Sequence, residues 1–309
     1  METIVETREL SKWYGRNRGI VNVSLEILKG EVFGFLGPNG AGKTTTMRIL
    51  LGLLRPSSGE ARIAGFNCWS QAKRVKHLLG YLPAEFSFDG SQKGSQILAY
   101  LANLRGGVDK QYVSSLIERF EFDPHKKFRE YSRGNKQKIG IIQAFMHRPQ
   151  LLILDEPTGG LDPLNQQVFY QLVAETRANG QTIFHSSHIL PEVEQTCDRV
   201  GIIREGSLVT VGPVTELKGM KQHKVTLLFP GPIDPGLFKH VEGVLSADQG
   251  ENERTISLYV RGDLQQVIRL ASEHQALNIT SHEPSLEEIF LNYYEQKPVD
   301  IAQAQEKGK

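Results

Sequence analysis

Gly37-Pro38-Asn39-Gly40-Ala41-Gly42-Lys43-Thr44-Thr45 fits the pattern G-x-x-x-x-G-K-[ST]. Glycines at those positions let a loop turn its backbone N–H groups toward a triphosphate, and a helix behind it adds the positive end of its dipole. Lys43 has the reach to meet the β and γ phosphates, and Thr44 offers a hydroxyl to Mg²⁺. A second chemical pair stands at Asp155-Glu156, directly after the apolar run Leu151-Leu152-Ile153-Leu154. Carboxylates delivered at the C-terminal end of a strand buried on both faces sit where ligands bind in a parallel sheet. Asp155 there can hold Mg²⁺ through water, and Glu156 can polarise the water that attacks the γ-phosphate. Without the phosphate loop, the same two acids read equally well as surface residues.

The elements that must position these residues are legible around them. Val32-Phe33-Gly34-Phe35-Leu36 reads as the strand before the phosphate loop, and Met47 to Leu54 as the helix behind it. Between the loop and the carboxylate strand, Tyr131-Ser132-Arg133-Gly134-Asn135-Lys136-Gln137-Lys138 leads into Ile139, Ile142, Phe145 and Met146 at helical spacing. Ser132 fits the N-cap of that helix, whose free N–H groups make a local anion site or simply a capped helix end. Further helical patterns cover Ile97 to Leu104 and Tyr112 to Phe120.

Composition bounds the class. A chain of 309 residues with 39% hydrophobic content can bury a full core and has room for about two domains. A formal net charge of +1, with no basic stripe, argues against nucleic acid as the partner. The two cysteines, Cys68 and Cys197, lie far apart without metal-ligand spacing and read as reduced cytosolic thiols. The acidic start Met1-Glu2-Thr3-Ile4-Val5-Glu6 lacks the marks of a signal peptide, and no apolar run approaches the roughly 18 residues of a membrane span. Work at a membrane would therefore need a span supplied by another chain.

With these residues in hand, the chain resembles the ATP-binding-cassette ATPases through nearly its whole length, with five motifs in the family's order. The resemblance implies an α/β fold: a P-loop nucleotide-binding domain over residues 1–218 with a helical signature subdomain at about 86–146, then a small α+β domain over 222–296 and a tail over 297–309. Tyr131 to Gln137 is similar to the family signature, which places Ser132 and Gly134 against the γ-phosphate of ATP held by a second nucleotide-binding subunit. A head-to-tail dimer, expected as a homodimer, follows from that. Gly159-Gly160-Leu161-Asp162 resembles the loop that crosses the dimer, with Asp162 as its acid. Ser186-Ser187-His188 resembles the switch, with His188 as a γ-phosphate contact, although His188 alone reads as a packing or surface residue. Tyr14, in Lys12-Trp13-Tyr14-Gly15, matches the aromatic that stacks on adenine, against its plainer reading as a strand residue.

The implied cofactors are ATP and Mg²⁺, the implied activity is ATP hydrolysis with Glu156, His188 and Lys43 in catalytic roles, and the implied partners are integral membrane permease subunits on separate chains. The expected location is the cytoplasmic face of the cell membrane, and the expected direction is export. A soluble cassette acting on nucleic acid or ribosomes is the alternative. Two departures from the family stand out: Arg133 and Asn135 occupy signature positions where many members carry Gly and Gln, and Ala84, beside Glu85, stands where Gln is common. Ala84 to Phe88 is the expected coupling surface, with Phe86 and Phe88 either exposed to a partner helix or packed in the local core. In the second domain, Val225 to Phe229 and Ile256 to Val260 read as strands and Leu264 to Ala276 as an amphipathic helix. Ser285 and Glu288, at capping-box spacing, open a further helix through about Tyr294. This second domain carries no catalytic constellation and reads as dimer-supporting or regulatory.

Overall fold

Val32–Leu36 and Leu151–Asp155 are buried along their whole length, as strands with both faces covered must be. They lie within a six-stranded sheet whose spatial order is Ser207–Pro213, Arg199–Arg204, Val32–Leu36, Thr182–Ser187, Leu151–Asp155 and Leu79–Leu82. All neighbours run parallel except the antiparallel edge strand Ser207–Pro213. The register pairs Leu36 with Ser187 and Asp155 with Ser186, so three strands end together and deliver their following loops to one edge. This sheet belongs to the first of two compact units, Met1–Pro213 and Val214–Lys309; the computed structural model describes residues 2–218 and 222–282.

The helix after the phosphate loop spans Lys43–Leu50, earlier than the expected Met47 to Leu54. It starts at the loop itself because Gly42, at φ 110°, turns the chain into the helix, a conformation other residues resist. It stops because Gly52 adopts φ 62° and donates its N–H to the Ile49 carbonyl at 2.9 Å, while Leu53 bonds back to Arg48. A second, antiparallel sheet in the order Asn17–Leu28, Thr3–Tyr14, Ser58–Ile63, Phe66–Asn67 packs its alternate residues into the same core as Phe33, Phe35 and Met47. Tyr14 closes the second of these strands.

Helices Gly94–Leu104, Lys110–Arg119 and Arg133–Phe145 form the helical part of this unit, over a core that includes Leu98, Leu116, Phe128 and Ile142. Phe86 and Phe88 are half-buried against that core: Phe88 meets Phe128 edge-on with ring centroids 5.4 Å apart, and Phe86 lies 5.7 Å from Phe88. The pair thus packs on the local core while staying partly exposed, beside the exposed Ala84, Glu85 and Ser87.

In the second unit, Val244–Gln249, Thr255–Arg261, Gln222–Leu228 and Asn278–His282 form an antiparallel sheet in that order, with helix Gln265–Glu273 burying Val267 and Ala271 against it. The two strands and the helix expected there are the central pair and this helix. The flanking strands carry polar, weakly alternating sequence that gives no clear strand signal. The helix expected from Ser285 and the tail from Lys297 lie outside the described residues.

Phe128 is buried and touches Phe86, Phe88 and Tyr131 through its ring. Phe128→Ala should lower stability by about 3 kcal/mol, the cost of a large-to-small core change. Equilibrium urea unfolding, followed by fluorescence, measures it.

Candidate nucleotide site

A cavity of about 410 Å³ opens where the parallel strands end. Tyr14, Pro38, Asn39, Gly40, Gly42, Lys43, Thr44, Thr45, Asp155 and Glu156 line it, so most residues singled out from the sequence converge on one place. Gly37 and Ala41 are buried in the loop behind the lining. Gly42 has no substitute there, because a Cβ would stand 2.6 Å from Ile20 and the φ is left-handed.

Lys43 is only 6% exposed and curls back over its own loop, donating to the Gly37 carbonyl at 2.6 Å and the Pro38 carbonyl at 3.2 Å. Its ammonium also lies 3.4 Å from the Glu156 carboxylate. A buried ammonium needs such partners, and phosphate oxygens can replace carbonyls at the same reach. The Asp155 carboxyl is 1% exposed and receives two hydroxyls: Thr44 Oγ1 at 2.8 Å on one oxygen and Ser186 Oγ at 2.5 Å on the other. A carboxylate beside a hydroxyl is a set of hard oxygen donors, few in number, which suits Mg²⁺ completed by phosphate oxygens and water. Among the described residues, no cluster of three or more His, Cys, Asp or Glu forms an all-protein cage.

Glu156 leaves its strand at φ 51°, a left-handed conformation that costs a residue with a Cβ about 1–2 kcal/mol. The conformation is held from both sides. The Glu156 N–H donates to Ser186 Oγ at 3.1 Å, and Gln137 Nε2 donates to the carbonyls of Pro157 at 2.8 Å and Glu156 at 3.3 Å. The turn aims the Glu156 carboxylate between Lys43 and His188, whose Nδ1 is 2.9 Å away. His188 itself is about half exposed and outside the cavity lining.

Ser132, Gly134 and Asp162 are not in the cavity of their own chain. Ser132 caps helix Arg133–Phe145 by accepting from the Asn135 N–H at 3.2 Å. Asp162 caps helix Pro163–Ala178 by accepting from the Asn165 N–H at 3.0 Å, and that bond, with the Asn165 side chain, holds its carboxyl below the usual range. Gly134 lets the two elements meet, since a Cβ there would stand 2.8 Å from the Gly160 carbonyl. Tyr14 is 46% exposed at the cavity mouth, its hydroxyl 3.5 Å from Thr45 Oγ1.

Arg18 and Gly19, which carry no sequence signal of their own, also line the cavity, as do Gly159 and the positions that depart from the family pattern, Arg133 and Ala84 with Glu85 beside it. The Arg133 stem lies across Gly160. Ser186 and Gln137 are the main omissions, as they orient the two acids; their signal is the pairing of Asp155 with Ser186, which depends on strand order and is invisible in one dimension.

The profile of the family described as ABC transporter matches residues 20–159. A bacitracin transport ATP-binding protein of Bacillus licheniformis is 33% identical over 307 residues, covering 94% of this chain and 97% of that protein. The solved structure of an ATP-binding subunit of an ABC transporter, 28% identical, superposes with a TM-score of 0.65 over 70% of this chain and 92% of its own. A dimeric bacterial ABC transporter cassette, 20% identical, shares the fold at a TM-score of 0.63 over 68% of this chain and 99% of its own.

Ser186→Ala strips one donor from the Asp155 carboxyl and leaves the Glu156 N–H without its acceptor. Turnover of ATP should fall about tenfold or more and stability by about 1–3 kcal/mol, the cost of unpaired buried polar groups. Steady-state hydrolysis and urea unfolding of the variant report the two effects separately.

Proposed function

The chain belongs to the ABC transporter family as an ATP-binding, ATP-hydrolysing subunit that energises transport, and from that premise we propose that it is one half of a cassette dimer driving export through separate permease chains. The observation that carries the dimer is the split of the site. The phosphate loop, Asp155 and Glu156 share one cavity, which Arg133 and Gly159 reach from the neighbouring segments, while Ser132, Gly134 and Asp162 stand outside it. A second copy, placed head to tail, supplies those residues to the far side of the nucleotide, and a cassette of the same fold is dimeric.

In this reading Tyr14 stacks on adenine, favouring a purine without reading its edges. The backbone N–H groups from Gly37 to Thr45 cradle the phosphates, and Lys43 leaves its loop carbonyls for the β and γ oxygens. Thr44 and Asp155 hold Mg²⁺, which supplies charge neutralisation across the phosphates when bound. Glu156 orients and deprotonates the attacking water, and His188 passes from Glu156 to the γ-phosphate. Ser132 and Gly134 of the opposite copy close on the same phosphate. Nucleotide thus joins the subunits and hydrolysis releases them.

Among the described residues, no helix is long and apolar enough to cross a membrane. The permease reading draws support from a groove of about 610 Å³ on the first unit, lined by Leu51, Leu53, Leu79, Tyr81, Leu101 and Leu104 beside Lys73, Lys76, His77 and Arg105. Leu53 and Leu104 are more than half exposed, which suits a partner helix with an apolar face and acidic flanks. Strand Leu79–Leu82 runs from this groove toward Ala84 and Glu85 in the nucleotide cavity, a short path from partner to phosphate. Such docking places the subunit on the cytoplasmic face of the membrane. The relative's name makes bacitracin the first substrate to assay.

Glu156→Gln should keep ATP binding and slow turnover by about 10² to 10⁴, or roughly 3 to 5 kcal/mol of barrier. It should also accumulate as an ATP-dependent dimer in size-exclusion chromatography, and near-normal hydrolysis would remove Glu156 from the role of base. Lys43→Ala should weaken nucleotide binding itself, read by direct titration. Gentle solubilisation of native membranes should recover a multi-span protein in stoichiometric amount with the tagged chain, and Leu104→Asp should reduce that recovery.

A further inference from the structure

Behind the switch lies a buried polar cluster to which the hydrolytic reading gives no task. Glu192, 1% exposed on the short helix Leu190–Thr196, accepts on a single oxygen, Oε2, from Thr158 Oγ1 and from Ser187 Oγ, each at 2.9 Å. Thr158 opens the loop that carries Gly159, Gly160 and Asp162; Ser187 immediately precedes His188. One carboxyl oxygen therefore ties together the loop expected to cross the dimer and the switch that touches Glu156.

The other oxygen, Glu192 Oε1, has no hydrogen-bond partner, and neither has Nδ1 of the fully buried His185, which lies 3.9 Å from it. His185 Nε2 is met by Thr196 Oγ1 at 3.1 Å and by Cys197 Sγ at 2.9 Å, while its Nδ1, at 3.9 Å, is too far to bond Glu192 Oε1. A buried carboxylate oxygen without a donor is costly, and a proton on the carboxyl removes the charge.

We propose that Glu192 is protonated and that in this form it is a positioning residue which holds the Thr158 loop and the Ser187–His188 switch in register for hydrolysis. Loss of that proton to solvent leaves a buried carboxylate with one oxygen unpaired and loosens both loops. The inference rests on the hydrolytic reading of Glu156 and His188. Burial pushes the Glu192 carboxyl up to about 7, against the hydroxyls of Ser187 and Thr158 that lower it, and burial pushes His185 down to about 4. The other groups facing the pair are Glu156, which raises the Glu192 value, His188, which lowers it, Tyr170 from helix Pro163–Ala178, and Cys197, 2.9 Å from His185 Nε2.

The sign follows by linkage. The folded chain holds this proton more tightly than the unfolded one, so the stability it contributes is complete below the ordinary carboxyl range and is lost as pH rises through about 7.

Infrared difference spectra of the full chain, recorded against pH, should show a protonated carboxyl band at about pH 6 that vanishes by about pH 8 and is missing from Glu192→Gln. ATP turnover of the parent chain should fall across the same window. Glu192→Gln, which is neutral at every pH and whose oxygen still accepts from both hydroxyls, should keep turnover within about threefold and flatten that fall, whereas Glu192→Ala should lose about tenfold or more in kcat with little change in KM. Absence of the band at low pH, or an unchanged pH profile in Glu192→Gln, overturns the proposal. A parent chain that binds ATP without hydrolysing it counts against the assigned catalytic roles, and the infrared band then decides the protonation of Glu192 by itself.

Discussion

The site depends on the burial of one carboxyl group at the end of a strand. Asp155 is taken out of water by the parallel sheet on either side of it, and an unpaired carboxylate there would cost several kcal/mol. Two hydroxyls meet that demand, and each comes from a different element: Thr44 from the helix after the phosphate loop and Ser186 from the neighbouring strand. Satisfying Asp155 thus fixes the phosphate loop against the carboxylate strand and the carboxylate strand against the switch. Strand direction and order do the rest: the three strands run parallel and so open on one edge, and Thr182–Ser187 between Val32–Leu36 and Leu151–Asp155 sets Ser186 opposite Asp155.

The same constraint explains the strain at Glu156. Its neighbour is locked inward, so the chain must turn sharply to bring the next carboxylate outward, and it does so in a left-handed conformation. Ser186 serves both acids, donating to Asp155 and accepting from the Glu156 N–H. Gln137, from the helix that Ser132 caps, holds the carbonyl side of the turn. The helical part of the unit is therefore hydrogen-bonded to the catalytic turn, and a change in the position of that helix acts directly on the geometry of Glu156.

The phosphate loop and the carboxylate strand were legible because each is a local pattern whose chemistry lies within a few residues of chain. Ser132 was legible as a cap for the same reason. What sequence left open was whatever depends on long-range pairing. The aromatic pair Phe86 and Phe88 has no periodicity of its own, and only its contact with Phe128, far along the chain, decides that it packs inward. The antiparallel sheet carrying Tyr14 is irregular, with bulges interrupting the pairing of Thr3–Tyr14 with Asn17–Leu28, so its alternation is blurred. Ser186 and Glu192 look ordinary in one dimension. Their importance comes from what the register sets opposite them.

Three acids, Asp155, Glu156 and Glu192, end in three different environments. Asp155 is given two hydroxyls on separate oxygens, Glu156 is given the two basic groups Lys43 and His188, and Glu192 is given two hydroxyls on one oxygen with an imidazole facing the other. Environments of that kind assign tasks to residues of one chemical type. A hydroxyl beside a buried carboxyl suits cation binding; basic neighbours that can move away suit a base released when phosphate arrives. A carboxyl with no basic neighbour in contact except a neutral imidazole suits neither, and its contacts run to the Thr158 loop and the Ser187–His188 switch. The arrangement suits metal binding at Asp155, base chemistry at Glu156 and the tying of two loops at Glu192. A substitution at one of the three should therefore leave a kinetic signature distinct from the others.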